Sequence, residues 1–371
     1  MPDHTSLSHR FHELEDPRIA RSKRHSLHDI LIVSICALLC GAEGFVDMEE
    51  FGKAQREWLG QLLELPNGIP SHDTFGRVFA ALDPAQFAEA FTLWTQSLRQ
   101  TRESEIVASD GKTLRRSGGA GQSPVHLVSA WAVGNRLVLG QLRTAEKSNE
   151  ITAVPALLRR LELAGCIVTL DAMGCQKTIA REIHEADADY VLALKANHEV
   201  LHEEIRTFLD DALDHPAHLP EASRHETLEK DHGRLETRRY LSTGALDWLC
   251  VRAQWAALRS VAVLEAERTL GGETTRERRY YLSSLPPDAP ALARAIRGHW
   301  GIENSLHWVL DVAMNEDQCR VRTGHAATNL ATLRHLALNL LRKDTTKKRG
   351  VRTKQKIAAW DHRYLLKLLS I

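Results

Sequence analysis

The sequence predicts an α/β protein: a mixed sheet flanked by helices, a β-rich insertion before the last helical block, and an N-terminal helical domain. Three observations carry this. Apolar residues recur at helical spacing from Leu27 to about Gln100. From Glu105 the pattern changes to short apolar runs, a hairpin first and then strand–helix–strand. From Pro290 helical periodicity returns and runs to the end of the chain, broken near Asn315 to Gly324 and again in the basic run.

Leu27, Ile30, Leu31, Ser34, Ile35, Leu38 and Leu39 mark one helix, and Asp47 to Leu63 reads as another. The breaker cluster Leu65-Pro66-Asn67-Gly68-Ile69-Pro70 precedes Ser71, which caps a helix through Thr74 to Leu82. Asp83-Pro84 reads as its stop, and Ala85 to Gln100 as the next helix. Ile106-Val107-Ala108 then leads as a strand into Asp110. His126 to Val133 and Leu137 to Leu142 form a hairpin about Gly134-Asn135. Ile151 to Leu163 is an amphipathic helix, Cys166 to Leu170 a buried strand ending at Asp171, Thr178 to Glu185 a helix, and Tyr190 to Leu194 a strand ending at Lys195. Within the insertion, Leu201 to Leu213 is a charged helix. Glu236 to Leu241, Trp248 to Gln254, Val261 to Glu267 and Arg278 to Leu282 resemble strands. The expected division is a helical domain over 1–103, an α/β domain over 104–341 with its insertion at about 198–281, and a basic tail with a short helix over 342–371.

Charged residues make up 26% of the chain and net charge is formally zero, so bulk charge names no partner. Its distribution does. Arg18, Arg21, Lys23, Arg24 and His25 cluster early, and eight Lys/Arg lie between Arg342 and Lys356, a pattern suited to gripping phosphates locally. Each run also fits a solvated, flexible segment. The cysteines show no C-x-x-C pair and sit mostly among apolar residues, as buried reduced thiols of a cytoplasmic protein would. Ile30 to Ala42 is too short to cross a bilayer, and no signal-peptide pattern opens the chain.

Three acids stand out. Asp110 and Asp171 each follow a strand-like run, the edge where ligands of α/β sheets gather. Taken alone, either reads first as a turn aspartate accepting backbone N–H groups. Ile296, His299, Trp300, Glu303, Leu306, His307 and Leu310 share one helical face, which places Glu303 in an apolar, core-facing stripe. A carboxylate there needs a cation, a metal or a proton, and Arg297 or His307 could also serve as partner. Together the three could hold divalent metal ions for phosphoryl transfer, because magnesium takes hard oxygen ligands and few carboxylates suffice. Glu316 and Asp317 read as a surface ion-pair cluster with Arg320 and Arg322 or, like Asp311, as rival third carboxylates. Trp300 and Trp308 fit a core helix better than a base-stacking platform.

An ordered set of motifs runs almost end to end. It comprises Gly68-Ile69-Pro70-Ser71-His72-Asp73-Thr74-Phe75, Asp110-Gly111-Lys112, Asp171-Ala172-Met173-Gly174-Cys175-Gln176 and Tyr190-Val191-Leu192-Ala193-Leu194-Lys195. It continues with His232-Gly233-Arg234, Glu236 and Arg238, then His299-Trp300-Gly301-Ile302-Glu303-Asn304 and Leu306 to Val312. The set resembles the DDE transposases of bacterial insertion sequences, specifically the H-repeat-associated group. The resemblance implies a ribonuclease-H-like catalytic domain with Asp110, Asp171 and Glu303 as the catalytic, metal-binding triad, and magnesium (two ions, replaceable by manganese) as cofactor. It implies DNA binding by the helical domain 1–103 and catalysis by the domain 104–341, cleavage of double-stranded DNA at element ends, strand transfer of the 3′-OH into target DNA, and a bacterial cytoplasmic location, on the nucleoid when bound to DNA. Pairing two ends further suggests a homodimer on DNA. The tyrosine, arginine and lysine that the broader group sets around its glutamate are here Ile296, His299 and Leu310. Candidate DNA contacts are Lys112, Arg115, Lys195, His232, Arg234, Arg297 and His299. Two other classes compete: a catalytically inactive or domesticated DNA-binding relative, and a metal-dependent nuclease unrelated to transposition.

Overall fold

The computed structural model of the protein describes residues 7–19, 21, 23–100, 102–119, 121, 123–144, 150–231 and 233–370. Six helices come first: α1 (Leu7–His12), α2 (Leu27–Leu39), α3 (Phe45–Ala54), α4 (Arg56–Leu59), α5 (His72–Ala81) and α6 (Pro84–Leu98). The expected helix over 47–63 is two pieces, α3 and α4, parted at Gln55, whose φ of −105° and ψ of 16° leave the helical region. Ser71 caps α5 as expected, accepting from the Thr74 N–H. Asp83-Pro84 starts a helix as well as stopping one: the Asp83 carboxylate accepts from the Ala85 N–H at 2.8 Å and Pro84 occupies the first turn, where its missing N–H costs nothing.

Then follow β1 (Ile106–Thr113), β2 (His126–Ala132), β3 (Leu137–Thr144), α7 (Glu150–Leu158), β4 (Ile167–Leu170), α8 (Lys177–Glu185), β5 (Asp189–Leu194) and α9 (Glu199–Asp214). A meander of β6 (Ser223–Asp231), β7 (Arg234–Thr243), β8 (Ser260–Leu270) and β9 (Glu273–Ser283) leads to α10 (Ala289–Ile302) and α11 (Trp308–Met314). The chain closes with α12 (Ala326–Lys343), α13 (Val351–Trp360) and α14 (His362–Leu369). The fold is the mixed α/β class that the pattern predicts, with strand order β3-β2-β1-β4-β5-β9-β8-β7-β6 among the described residues. None of the described helices is long and apolar enough to cross a membrane.

The chain forms two compact units, the described residues of 1–100, 111–149 and 303–371, and those of 101–110 and 150–302. In the first, α2 is buried on nearly every side and α12 from Ala326 to Leu341. Helix α12 carries polar side chains inward to satisfy backbone groups that burial would otherwise leave costly. Asn329 Nδ2 donates to the carbonyls of Phe79 and Leu82, each at 2.8 Å, closing the end of α5. Asn339 acts as an extra strand residue: its Oδ1 accepts from the Val138 N–H and its Nδ2 donates to the Val138 carbonyl, both at 2.9 Å. The last helices are packed rather than a loose tail, since Tyr364, Leu365 and Leu368 of α14 are buried.

In the second unit the parallel strands β1, β4 and β5 pair in order, and β9 joins β5 antiparallel. The insertion therefore extends the sheet. Gly271 (φ 60°) and Gly272 (φ 88°) make the two-residue turn of the β8–β9 hairpin. Two expectations change here. Trp248 to Gln254 is a run of turns with one 3₁₀ segment, while Ser223–Asp231, not anticipated, is the edge strand β6. An edge strand is held by main-chain bonds and tolerates charge, so Ser-Arg-His-Glu-Thr-Leu-Glu-Lys-Asp shows no apolar signal. Helix α10 buries Leu292, Ala293, Ala295 and Ile296 against Tyr240, Ala262 and Tyr281.

Asn339→Ala is expected to lower the free energy of unfolding by about 2–4 kcal/mol, because it strips both partners from the buried Val138 peptide groups. Urea denaturation followed by circular dichroism reads this; an unchanged midpoint would show those groups find other partners.

Candidate active site

Strand β1 pairs with β4 in parallel register, Ser109 opposite Leu170. One step further along both chains lie Asp110 and Asp171, side by side at the carboxyl edge of β4. Asp110 does not end its strand as expected: β1 continues to Thr113, and only its pairing with β4 stops at Ser109. Asp171 does leave the sheet. Its Oδ1 accepts the N–H groups of Met173 (3.0 Å) and Gly174 (3.2 Å), which orients the carboxylate, while Oδ2 accepts no hydrogen bond among the described residues. Gly174 permits this turn, since a Cβ there would lie 2.8 Å from Leu170 Cβ. The Asn197 side chain holds the same loop by donating to the Ala172 carbonyl at 2.8 Å.

His299 of α10 shares a hydrogen bond with Thr169 Oγ1 through Nδ1, at 3.1 Å. Burial pushes its pKa down, against the opposing pull of the Asp171 charge. At neutral pH it is therefore an uncharged neighbour of Asp171.

Glu303 follows α10 directly and opens a five-residue π-helical turn, Glu303–His307, before α11. The expected apolar stripe is corrected here. Ile296, Leu306, His307 and Leu310 are buried, but the Glu303 side chain is 60% exposed and Trp300 and Trp308 are exposed too. A π turn spends an extra residue, so a single 3.6-residue period drawn across it misassigns the face. His307, one of the two partners considered, donates from Nδ1 to Glu303 Oε2 at 3.0 Å. Trp300 lies under the Arg279 guanidinium, 4.8 Å from ring centroid, rather than in the core.

Lys112 is drawn inward. Its ammonium bonds Asp311 and Glu316 Oε2 (the latter at 2.9 Å), with Asp317 at 3.9 Å. Burial alone would raise the Glu316 pKa, but Lys112 and then Arg334 outweigh it and hold the carboxyl below its usual range. Burial likewise raises Asp311, and Lys112 offsets this only in part. The acids past Glu303 are thus a cluster around Lys112 and Arg115, with Glu316 buried and Asp311 and Asp317 half-buried, not a surface cluster with Arg320 and Arg322. Beside them His335 is fully enclosed, and burial lowers its pKa to about 4 despite nearby Glu316.

The remaining nominated cations fall in different places. Arg115 is exposed and 3.0 Å from Asp317. Arg297 meets Glu229 at 3.3 Å and Arg234 meets Glu236 at 3.6 Å. Lys195 is exposed at the end of β5, and His232 lies outside the described residues. Sequence reading missed one His/acid group. Asp211 accepts from His215 Nδ1 at 3.0 Å and His218 Nδ1 at 2.8 Å at the end of α9, signalled by its D-x₃-H-x₂-H spacing. All three are exposed, as an ordinary surface ion-pair cluster would be.

The family model described as the transposase DDE domain matches residues 101–340, and a model described as associated with it matches residues 8–95. The Escherichia coli (strain K12) protein named "H repeat-associated putative transposase YhhI" is 40% identical over 364 residues, 96% of each chain. A Xanthobacter autotrophicus protein, "Uncharacterized protein in dhlA 3'region", is 44% identical over 283 residues, 75% of this chain and 94% of that one. Among solved structures, the cryo-EM piggyBac transposase synaptic complex with hairpin DNA aligns with a TM-score of 0.45 and 10% identity. That alignment covers 99% of this chain and 79% of the other.

Lys112→Met leaves Glu316 charged in a closed interior and is expected to cost about 3–5 kcal/mol of stability. Lys112→Arg, which keeps a cation beside Glu316, should recover part of that, measured by urea unfolding. His335 supplies a pH test. Its folded pKa lies below the unfolded value, so its contribution is complete above about pH 6.5 and is lost as pH falls toward 4. One such proton gives a slope of up to about 1.4 kcal/mol per pH unit. His335→Gln should flatten the fall of the thermal midpoint over that window; identical profiles would remove His335 as its cause.

Proposed function

The chain belongs to the transposase DDE domain family, and from that premise we propose that it cleaves DNA at the ends of a mobile element and joins the freed 3′-OH to target DNA. Asp110, Asp171 and Glu303 are the proposed catalytic carboxylates. The observation that carries this is the β1–β4 register, which sets two aspartates together at a sheet edge with one Asp171 oxygen open. Glu303 supports it because a solvent-facing carboxylate meets a cation without first losing its hydration.

The donor set is hard oxygen, which suits magnesium better than zinc, and manganese would be tolerated. Divalent ions held there would stabilise both the attacking and the leaving oxygen of the phosphodiester. The chain's own residues do the rest. The Met173 and Gly174 amides fix the Asp171 carboxylate, and His307 fixes that of Glu303. His299, held by Thr169 and kept neutral by burial, fills space beside Asp171 without adding a competing charge.

Phosphate contact suits exposed Lys195 best among the nominated cations. Lys112, Arg115, Arg234 and Arg297 already hold carboxylates that DNA would have to displace. Juxtaposing two element ends calls for a homodimer on DNA.

Asp110→Asn, Asp171→Asn and Glu303→Gln should each lower magnesium-dependent cleavage of end-containing DNA by on the order of a thousandfold or more. Binding of the same DNA should change little. Cleavage retained by one variant removes that residue from the triad. A wild-type protein that binds ends without cutting them would be a DNA-binding relative. One that cuts DNA lacking ends equally well would be a general nuclease.

A further inference from the structure

In the unit formed by residues 1–100, 111–149 and 303–371, an open groove of about 770 Å³ runs between α11 and the segment from Leu341 to Lys354. Its exposed charge is of one sign. Arg136, Lys348, Arg349 and Arg352 line it, all exposed, and none has an ion pair among the described residues. In the other unit three arginines of the long strands sit against acids: Arg239 by Glu226, Arg276 by Glu267 and Arg279 by Glu277. The acid of the groove segment, Asp344, is buried. It is taken up by Tyr364, Thr346 and Lys354, so it does not offset the cations outside.

An apolar platform sits among these charges. Trp308 is 59% exposed and Val312 46%, one turn apart on α11, and Trp308 has no ring partner among the described residues. Leaving an indole in water forgoes burial energy that a core position would recover. Unpaired cations around an open indole are the composition of a single-strand binding surface, where phosphates meet the charges and a base stacks on the ring. The groove is also tied to the π turn: the Arg342 guanidinium donates to the Ser305 carbonyl and lies 4.7 Å from the Trp131 ring.

We propose that this groove holds a single DNA strand, its phosphates on Arg136, Lys348, Arg349 and Arg352 and one unstacked base on Trp308. The inference rests on the reading of the chain as an enzyme acting on DNA. It adds where a strand freed from the duplex goes.

The test is fluorescence anisotropy of the full chain with a labelled single-stranded oligonucleotide and the matching duplex, over a salt series. Trp308→Ala should weaken single-strand binding about tenfold. Its salt slope should stay at the wild-type value, and Trp308→Phe should restore most of the affinity. Lys348→Ala/Arg349→Ala/Arg352→Ala should lower the slope of log K against log salt by about 2. Equal single-strand affinity in all variants would overturn the groove, and equal losses on duplex would overturn the single-strand assignment. These outcomes are separate from cleavage. A wild-type chain that cuts element ends while the variants bind single strands normally would lose the groove and keep the proposed function. A chain that never cuts but shows the predicted losses would keep the groove and lose catalysis.

Discussion

The register between β1 and β4 is the constraint on which the rest depends. Parallel strands cannot be joined by a tight turn, so their alignment must come from packing on both faces. Strand β4 is buried along its whole length and pairs with β5 on its other side, Val168 opposite Tyr190. Helix α10 crosses close to β1 because Gly298 has no side chain: a Cβ there would lie 2.9 Å from Ile106 Cδ1. A slip of one residue would turn Asp110 to the opposite face and bring Ser109 beside Asp171. Thus the identity of a glycine on a distant helix bears on which acids can meet at the sheet edge.

Acidity alone does not mark a site in this chain, since the protein holds many carboxylates near one another. What separates them is whether a cation has been provided. Asp311, Glu316 and Asp317 surround a lysine, and burial makes that pairing obligatory. Asp171 is instead oriented by backbone amides, and Glu303 by an imidazole, neither of which brings a full permanent charge. The first group is neutralised by the fold. The second has no lysine or arginine partner among the described residues.

Much of this was legible in the sequence wherever a residue's type and its periodic position agree. The strands into Asp110 and Asp171, the hairpin between them and the Ser71 cap all follow from local rules, whereas the link among three distant acids is a proposal that the family resemblance suggests. The failures share a physical reason: non-local structure overriding local signal. Strand β6 is stabilised by main-chain pairing that charged side chains do not report. The continuation of β1 past Asp110 depends on partners elsewhere in the sheet, although Asp-Gly reads locally as a turn. Lys112 looks like a phosphate contact until α11 brings Asp311 to it, 199 positions downstream. Trp300 and Trp308 read as core residues by type, yet both face outward, Trp300 under the Arg279 guanidinium and Trp308 just past the π turn.

That π turn has a further consequence. Widening one turn breaks the regular ladder and frees carbonyls that an α-helix would use internally. The Ser305 carbonyl is taken by Arg342, whose guanidinium is pinned against Trp131 and whose pKa burial lowers to about 10. Holding a cation in such a place is costly, the more so because Nε and Nη1 find no hydrogen-bond partner among the described residues, and the Ser305 carbonyl is the acceptor that Nη2 uses. The same opening directs Glu303 to solvent and sends Trp308 to the rim of the basic groove. A regular helix through 303–307 would leave Arg342 without its acceptor and would rotate the glutamate and the indole relative to each other. The irregularity is therefore what sets the angle between the acid and the aromatic platform on one continuous helical run.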